Sequence, residues 1–246
     1  MKCVCIIQAR MGSTRLPGKV LMPLAGRPAL FHTIERVQRA NLINEIVIAT
    51  STLPQDDIIE KEAAFIHIKT FRGSEGDVLE RYYLAAKEAN ADTVVRVTSD
   101  CPLIDPAVLD QLIELFKETN ADYASNFFAR RTYPRGLDAE VFTFKALEHA
   151  QEKATQKHER EHVTPFIWAQ PKLFKCASLQ QDKDLSTLRW TLDEKDDYRL
   201  LTEIFNTLYP QNPNFSTEDI LTLLEKRPEL KTLNEHVEQK KVLANP

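Results

Sequence analysis

A loop rich in small and basic residues follows the first apolar run of the chain. It reads Gln8-Ala9-Arg10-Met11-Gly12-Ser13-Thr14-Arg15-Leu16-Pro17-Gly18-Lys19. Small residues let backbone N–H groups approach phosphate oxygens, and Ser13 and Thr14 add hydroxyl donors. Arginine grips an oxyanion with two parallel bonds and lysine acts as a point charge, so Arg10, Arg15 and Lys19 suit a triphosphate. The loop is therefore predicted to hold a phosphate-rich ligand.

Charge along the chain supports this prediction. No Asp or Glu precedes Glu35, whereas the same stretch contains five basic residues, namely Lys2, Arg10, Arg15, Lys19 and Arg27. The whole chain has a formal net charge of -4 and a pI near 5.9. That balance gives no general attraction to nucleic acid or to an anionic membrane, so we expect neither as a partner.

Two better-known phosphate loops do not fit this segment. A P-loop has four residues between its first glycine and Gly-Lys and then Ser or Thr, whereas five separate Gly12 from Gly18, and Val20 follows Lys19. A dinucleotide loop needs G-x-G-x-x-G, and Gly12 has no glycine at either later position. The segment is a phosphate loop of a different kind.

Two acids follow apolar runs and are candidate metal ligands. Asp100 comes after Val94-Val95-Arg96-Val97, and Asp193 ends Leu188-Arg189-Trp190-Thr191-Leu192. Magnesium takes a few carboxylate oxygens and fills its octahedron with phosphates and waters. The alternative is that Asp100 caps a turn and Asp193 caps the following helix. Asp196 and Asp197 are placed in the first helical turn, where acids are common, and outside the metal site.

Further polar residues in the chain are candidates for ligand contacts. Arg72, Gly73 and Ser74 follow the third predicted strand and are expected to contact a base or ribose. A second set suits sugar hydroxyls, with solvated edge-strand charges or a structural helical histidine as the alternatives. This second set comprises Arg135, Asp138, Glu140, Arg160 and His162. Cys101 is expected to be a buried thiol and not a nucleophile.

The segment QARMGSTRLPGKVL resembles the signature loop of the acylneuraminate and 3-deoxy-manno-octulosonate cytidylyltransferase family, and most of all its spore coat polysaccharide biosynthesis protein F-like branch. The likeness extends from Met1 to about Leu208. Four later segments also resemble that branch, namely FRGSEGDVL from Phe71, RVTSDCPL from Arg96, GLDAEVF from Gly136 and REHVTP from Arg160.

The resemblance implies a transfer of CMP from CTP to an acidic keto-deoxy sugar, with release of pyrophosphate, in surface polysaccharide or glycoconjugate biosynthesis. It implies Mg²⁺ held by Asp100 and Asp193, with Arg10, Lys19 and Asp100 as the catalytic residues. The nucleotide would contact Ala9, Arg10, Gly12, Ser13, Thr14, Arg15 and Lys19. Acceptor recognition falls in the middle region, and a homodimer is expected because relatives are often dimers.

Two alternatives remain open on the residues alone. A metal-dependent glycosyltransferase that uses a nucleotide-sugar donor usually carries Asp-x-Asp after its fourth strand, and Asp100-Cys101-Pro102 lacks the second acid. A non-catalytic nucleotide sensor would tolerate the loss of a metal acid, and both acids are present.

Predicted strands and helices, which must position these residues, alternate in the first half of the chain. Apolar runs at residues 3–7, 45–49, 67–70 and 93–98 predict strands, and stretches at 28–40, 55–64 and 75–89 predict helices. The second half predicts helices at 106–118, 159–168 and 196–208, strands at 139–144 and 188–192, and a short helix after the Ser216 cap. Strands that are apolar on both faces indicate a three-layer αβα sandwich around a mostly parallel, Rossmann-like sheet, of the nucleotide-diphospho-sugar transferase type that the resemblance implies.

Length and composition set the domain organisation. The 246 residues are expected to form one domain, with a nucleotide-binding half at 1–120, an acceptor-binding half at 121–210 and a helical extension at 211–246. No apolar run reaches the roughly 18 to 20 residues of a membrane helix, and no signal sequence is evident, so a cytoplasmic protein is expected. The four cysteines are expected to be reduced.

Overall fold

A seven-stranded mixed sheet forms the centre of the molecule. The computed structural model describes residues 1–238, so the last eight residues of the predicted C-terminal extension lie outside it. The sheet has the order β5-β4-β1-β6-β8-β7-β9, and the four strands from β5 to β6 run parallel. Its strands are β1 (Cys3–Gln8), β4 (Glu45–Ser51), β5 (Lys69–Gly73), β6 (Thr93–Thr98), β7 (Tyr123–Ser125), β8 (Glu140–Thr143) and β9 (Cys176–Ser178).

Helices cover both faces of this sheet. They are α1 (Ala29–Val37), α2 (Asp57–Phe65), α3 (Val78–Glu88), α4 (Pro106–Thr119), α5 (Phe144–Lys153), α6 (Lys157–His162), α7 (Pro165–Trp168), α8 (Lys195–Leu208) and α9 (Thr217–Lys226). Apolar residues of α1, α2 and α4 pack on one face, and those of α3, α5 and α7 pack on the other. This arrangement confirms the predicted three-layer α/β architecture.

Strand β1 shows why the sequence folds this way. Cys5 and Ile7 belong to the core cluster on one face, whereas Val4 and Ile6 belong to the cluster on the other, and all four are fully buried. A strand covered on both sides has no polar face, and this explains its uninterrupted apolar run. The carboxyl end of β1 then opens directly into the basic loop.

A third core cluster, outside the seven-stranded sheet, holds the C-terminal helices in place. Helices α8 and α9 pack around Trp190 and Leu192 and against a small hairpin of β2 (Pro23–Leu24) and β3 (Arg27–Pro28). Ser216 and Asp219 form the predicted capping box at the start of α9. Within residues 1–238 no helix is long and apolar enough to cross a membrane.

Several predicted elements need correction. The predicted strand at 188–192 is wrong, because this segment is irregular and its one β-type pairing among residues 1–238 is an isolated bridge between Arg135 and Arg189. The predicted helix at 159–168 is broken into α6 and α7 because Val163 has a φ of 73°. The third strand begins two residues later than predicted, since His67 adopts a φ of 58° after α2. Helix α5 and strands β7 and β9 were not predicted.

Candidate functional site

A cavity of about 570 Å³ lies at the carboxyl ends of β1 and β6. The basic loop and the two predicted metal acids border it, and so does α6 from the second half of the chain. In parallel α/β sheets this edge is the usual place for a ligand, because the loops that follow the strands converge there. The cavity is the candidate active site.

Backbone hydrogen bonds give the basic loop its shape. The carbonyl oxygen of Met11 accepts from the N–H groups of Ser13 at 2.9 Å and Gly18 at 3.1 Å, and this closes the loop on itself. The N–H of Met11 donates to the buried carboxylate of Asp56 at 2.7 Å, which ties the loop to the start of α2. Gly18 has a φ of 70°, a left-handed conformation that glycine adopts without strain, and a short 3-10 helix of Lys19–Leu21 follows.

Lys19 joins the two candidate metal acids. Its Nζ lies 2.7 Å from Asp100 Oδ2 and 2.7 Å from Asp193 Oδ1. Burial alone would lower the pKa of Lys19, but the two carboxylates outweigh it and raise the pKa above its ordinary value. Burial likewise favours neutral Asp100, yet the ammonium group holds the pKa of that carboxyl at about 2. The structure therefore brings together three residues, of which the first, Lys19, and the last, Asp193, are 174 positions apart in the sequence.

The remaining loop cations also rest on carboxylates. Arg15 Nη2 lies 3.1 Å from Asp193 Oδ1, and its Nη1 lies 3.1 Å from Glu194. Arg10 Nη1 lies 3.5 Å from Glu75 at the rim of the cavity. A phosphate-rich ligand would offer these arginines partners of higher charge than a single carboxylate.

Short hydrogen bonds orient Asp100. The Thr98 hydroxyl donates to Asp100 Oδ1 at 2.5 Å. The backbone carbonyl of Asp100 accepts from Leu192 N at 2.8 Å and from the Thr191 hydroxyl at 3.1 Å. The segment that carries Asp193 is thus pinned to the residue that carries the other acid, although it forms no strand.

A buried network orients Asp193. Asp197, which is fully buried, accepts hydrogen bonds from the backbone N–H groups of Asp193 and Glu194, each at 3.0 Å. It also accepts two from the Arg189 guanidinium at 2.8 Å and one from the Asn234 amide at 2.9 Å. The sequence places Asp197 only in a helical turn, but in the structure it also holds the backbone of Asp193, one of the two candidate metal acids.

The two acids fit a divalent ion. A single ammonium nitrogen already contacts one oxygen from each, so both oxygens converge on one small cation. Among the described residues no group of three or more His, Cys, Asp or Glu is placed to hold a metal. Two carboxylates completed by phosphates and waters match the way proteins bind Mg²⁺ beside a nucleotide.

The other predicted nucleotide contacts divide into two groups. Ala9, Ser13 and Thr14 line the cavity, whereas Gly12 does not, because it lies against the side chains of Gln55 and Glu75. The sequence predicts that Arg72 contacts a base or ribose, but in the structure this side chain lies outside the cavity and pairs with two carboxylates. Its guanidinium is paired with Asp57 at 2.7 Å and Glu60 at 3.0 Å and also binds the carbonyls of Ser51 and Leu53. Gly73 and Ser74 lie beside Arg81 and do not line the cavity either.

The predicted acceptor residues are more scattered. His162 lines the cavity, and burial, with a contribution from Arg96, lowers its pKa. Arg160 does not line it, because its guanidinium pairs with Asp77 at the start of α3. Asp138 pairs with Arg131. The candidates of this group therefore do not form one site.

Glu140 and Arg135 lie elsewhere, which corrects two predictions. Glu140 is 1% exposed on the interior strand β8, so it is not an edge-strand charge, and its carboxylate is engaged by Arg96, Tyr123 and Thr164. Arg135 lines a second cavity of about 620 Å³ that α8, α9 and the residues after them enclose.

The structure adds cavity residues that the sequence pattern did not identify. Lys157 and Glu161 reach the cavity from α6, and Arg81 reaches it from α3. Gln8 also lines it, and its Oε1 accepts from Arg96 Nη2 at 3.0 Å. Because arginine only donates, this contact fixes the orientation of the amide and leaves the Gln8 N–H groups for a ligand. The position of Gln8 at the end of the first predicted strand was the one sequence signal that could have identified a cavity residue of this group.

The fold and the cavity together define an α/β protein with a candidate nucleotide-binding site at the carboxyl edge of its sheet. Comparison with known proteins supports this class. The family model for cytidylyltransferase matches residues 4–245. Spore coat polysaccharide biosynthesis protein SpsF of Bacillus subtilis is 33% identical over 237 residues, which cover 94% of this chain and 97% of that protein.

Two further relatives extend the comparison. A solved cytidylyltransferase structure from Leptospira borgpetersenii serovar Hardjo-bovis has a TM-score of 0.89 and 34% identity, with 100% of each chain covered. A 3-deoxy-manno-octulosonate cytidylyltransferase of Trichlorobacter lovleyi is 39% identical over 116 residues, which cover 47% of this chain and 45% of that enzyme.

The chain belongs to the cytidylyltransferase family. It is a nucleotidyltransferase, and this decides against the glycosyltransferase and the non-catalytic sensor that the residues alone left open.

Proposed function

We propose that this protein transfers CMP from CTP to a hydroxyl group of a keto-deoxy sugar acid and releases pyrophosphate. The observation that carries the proposal is the Lys19 ammonium held between Asp100 and Asp193, at the end of the loop that also contains Arg10 and Arg15. Cations and carboxylates that meet at one small volume suit a metal-bound triphosphate.

The reaction forms one bond and breaks another. The acceptor oxygen attacks the α-phosphorus, the bond between that phosphorus and the oxygen bridging to the β-phosphate breaks, and the hydroxyl proton leaves to water or a nearby base. A divalent ion on Asp100 and Asp193, which we propose to be Mg²⁺, would offset the charge that develops on the phosphate oxygens. The protein contributes mainly alignment and electrostatic stabilisation.

The loop cations hold the leaving group in this proposal. Lys19, Arg15 and Arg10 rest on carboxylates in the structure, and each would exchange that partner for a phosphate oxygen of CTP. Asp100 and Asp193 are then freed for the divalent ion, while Thr98 and Asp197 keep them oriented. Nucleotide binding and metal binding are therefore expected to strengthen each other.

The cavity and the relatives support the proposed class of acceptor. Lys157, Glu161 and His162 line the side of the cavity formed by α6, and they offer charge and hydrogen bonds to a polar acid. The partial match to a 3-deoxy-manno-octulosonate enzyme supports a keto-deoxy sugar. The name of the Bacillus subtilis relative supports a role in surface polysaccharide biosynthesis.

The test is the release of pyrophosphate from CTP and Mg²⁺ with a panel of sugar acids. We expect turnover with at least one keto-deoxy acid and a loss of at least about 100-fold in the Asp100→Ala variant, as for removal of a group that stabilises developing charge. Asp182→Ala, which removes an exposed acid, is the matched control. Normal turnover in Asp100→Ala would exclude the metal role of Asp100.

A second test concerns the nucleotide. CTP with Mg²⁺ is expected to raise the melting temperature more than UTP or ATP does, and equal stabilisation by all three would count against the proposal. A homodimer, a cytoplasmic location and the division into halves at 1–120 and 121–210 stay predictions. Light scattering at several concentrations tests the first of these.

A further inference from the structure

A second cavity, of about 620 Å³, is lined by the segment at 186–190, by α8 and α9, and by residues that follow α9. Among residues 1–238, no lining residue of this cavity also lines the candidate active site. Its volume is typical of sites that hold a small molecule. The proposed transfer reaction does not use this cavity, so its walls indicate a second ligand.

Arg135 lines this cavity with a guanidinium that has no hydrogen-bond or carboxylate partner within residues 1–238. The backbone of Arg135 holds the neighbouring segment, since its N–H donates to the Leu188 carbonyl at 3.0 Å and its carbonyl accepts from Trp190 N at 2.6 Å. The side chain is partly buried, and burial, together with Arg131 and Arg189, lowers the pKa of Arg135. A partly buried cation without a partner costs free energy unless a ligand supplies one.

The acids near Arg135 already have partners. Asp138, whose charge raises the pKa of Arg135, pairs with Arg131. Asp197 pairs with Arg189 at 2.8 Å. The charges within these two pairs cancel, and the charge of Arg135 remains. The missing partner is therefore an anion.

The other lining residues limit the rest of the ligand. Lys231 and Glu235 contribute one charge of each sign and are exposed, so they leave the excess charge at Arg135 unchanged. Leu200 from α8 and Leu224 from α9 contribute apolar surface. One uncompensated arginine beside apolar side chains suits a small amphipathic anion, in which a single acidic group is attached to an apolar body.

The walls of this cavity also belong to the network that orients Asp193. Arg189 lines the cavity, and its guanidinium lies 2.8 Å from Asp197 and 3.3 Å from Asp193. Asn234 lines it as well, and its amide donates to Asp197 at 2.9 Å. A negative charge bound in the cavity would therefore add to the attraction that Asp193 exerts on a divalent ion.

We propose that the second cavity is a regulatory site for a small amphipathic anion, whose acidic group binds Arg135 and whose apolar body packs on α8 and α9. The bound anion tightens the binding of a divalent ion at Asp193. By linkage, the ion tightens the binding of the anion by the same factor. The binding of the anion does not depend on the proposed function, whereas its coupling to the metal rests on it.

The binding test compares four probes on the wild-type chain by calorimetry. Hexyl phosphate and hexanoate carry an acidic group on an apolar body, whereas hexanol lacks the charge and inorganic phosphate lacks the body. We expect one of the first two to bind at least about 10-fold more tightly than both controls, because only these probes combine a contact to a charged donor with burial of apolar carbons. The tighter of the two identifies the acidic group. If neither exceeds both controls, the proposal is overturned.

Two variants locate the bound probe. Arg135→Gln is expected to weaken binding of the tighter probe at least about 10-fold. It is also expected to melt close to the wild type, because the Arg135 side chain has no partner among the described residues. Arg130→Gln is the matched control and is expected to keep the affinity, since it removes an exposed arginine of the same loop, which pairs with Asp184 at 3.5 Å. Unchanged binding in Arg135→Gln would overturn the proposal.

The coupling test follows the electron paramagnetic resonance signal of free Mn²⁺ without nucleotide. The tighter probe, at saturation, is expected to make Mn²⁺ binding to the wild-type chain at least about 5-fold tighter, and Arg135→Gln is expected to show no such effect. Because the wild-type measurement needs no variant, it tests the proposal even if Arg135→Gln folds poorly. Unchanged or weaker Mn²⁺ binding would exclude the regulatory role.

Failure of the proposed function gives a different result. If the probe binds through Arg135 but no sugar acid releases pyrophosphate from CTP, the second site stands and the keto-deoxy acceptor falls. If pyrophosphate is released and the probe competes with the sugar acid, the cavity is an acceptor site, and the regulatory role falls while the transferase activity stands.

Discussion

At the scale of single residues, the ammonium of Lys19 lies where a divalent ion would also be attracted. Asp100 and Asp193 each contact it at 2.7 Å, and Arg15 adds a second cation to Asp193. In this state the acids are neutralised by the protein itself. In the proposed function, a metal ion would therefore compete with Lys19 until the triphosphate draws the lysine away.

This competition predicts two opposite effects of the Lys19→Met variant. Turnover should fall by at least about 100-fold, because a cation that stabilises the leaving pyrophosphate is lost. Binding of Mn²⁺ without nucleotide should become tighter, because two carboxylates lose their internal counter-ion. Initial rates and the electron paramagnetic resonance signal of free Mn²⁺ measure the two effects. Weaker Mn²⁺ binding in the variant would contradict the competition between lysine and metal.

Gln8 gives a second prediction at this scale. A Gln8→Glu variant can still accept from Arg96, but it presents an oxygen to the cavity in place of the amide N–H groups. We expect KM for CTP or for the acceptor to rise about 10-fold, with a smaller change in kcat, because a substrate acceptor would lose its donor. Steady-state rates with each substrate varied in turn make the measurement. Unchanged values of KM would show that the amide does not touch either substrate.

At the scale of elements, Gly136 joins the middle region to the segment that carries Asp193. Arg135 N donates to the Leu188 carbonyl at 3.0 Å, and Trp190 N donates to the Arg135 carbonyl at 2.6 Å. Gly136 has a φ of 100°, and an added Cβ would lie 2.5 Å from the carbonyl carbon and oxygen of Trp190. The backbones approach so closely that no side chain fits between them.

A Gly136→Ala variant is therefore expected to move residues 188–193 and misplace Asp193. We expect a loss of about 1 to 3 kcal/mol in the free energy of unfolding and a fall in kcat/KM of at least about 10-fold. Chemical denaturation and initial rates provide the two measurements. Gly26→Ala is the matched control, because Gly26 has a similar φ of 79° but no atom within 4 Å of the added Cβ. A loss of activity as large in Gly26→Ala would remove the argument from close approach.

The elements also show what local sequence patterns can and cannot predict. Strand β6 and helix α4 begin where the sequence predicts, because buried apolar runs and Pro106 define them locally. The segment at 188–192 has a similar apolar pattern, but its apolar side chains pack against α8 and α9, and the segment does not add a strand to the sheet. The apolar content of a segment predicts that the segment is buried, but it does not predict which element packs against it.

At the scale of the whole molecule, His32 lies where α1, the small hairpin and α8 meet. Its Nε2 lies 2.8 Å from the Leu24 carbonyl, and its ring centroid lies 4.2 Å from that of Phe205. The side chain is fully buried, and burial lowers the pKa of His32 to about 4, with Arg36 and Arg27 opposing the charge further. The folded protein thus keeps His32 neutral at a pH where the unfolded chain would protonate it.

This difference predicts a loss of stability in mild acid. The unfolded chain gains a proton on His32 as the pH falls through about 6.5, whereas the folded chain resists until about 4, so stability decreases across that window. Between pH 7 and pH 5 the contribution amounts to about 2 kcal/mol of unfolding free energy. Urea titrations at both values measure it. A His32→Asn variant, which cannot gain the proton, is expected to show a shallower dependence on pH, and an identical dependence would contradict the role of His32.

The sequence by itself determined the parts of this protein that depend on neighbours along the chain. The order of alternating strands and helices, the small, hydroxyl-bearing and basic residues of 8–19 and the acids after two apolar runs were all evident, because these features depend on a few adjacent positions. A loop that follows a buried parallel strand must lie at the carboxyl edge of the sheet. The position of Lys19 and Asp100 at one edge follows from this rule.

Only the tertiary structure decided which charged residues are free to meet a ligand. Arg72 and Arg81 are both arginines near the end of β5. Asp57 and Glu60 neutralise the first, whereas the second lines the cavity and has no carboxylate partner among residues 1–238. Glu140 is likewise taken up by Arg96 inside the sheet. Partners far apart in sequence set the charge and exposure of each of these groups, and a pattern read along one chain contains no information about such distant contacts.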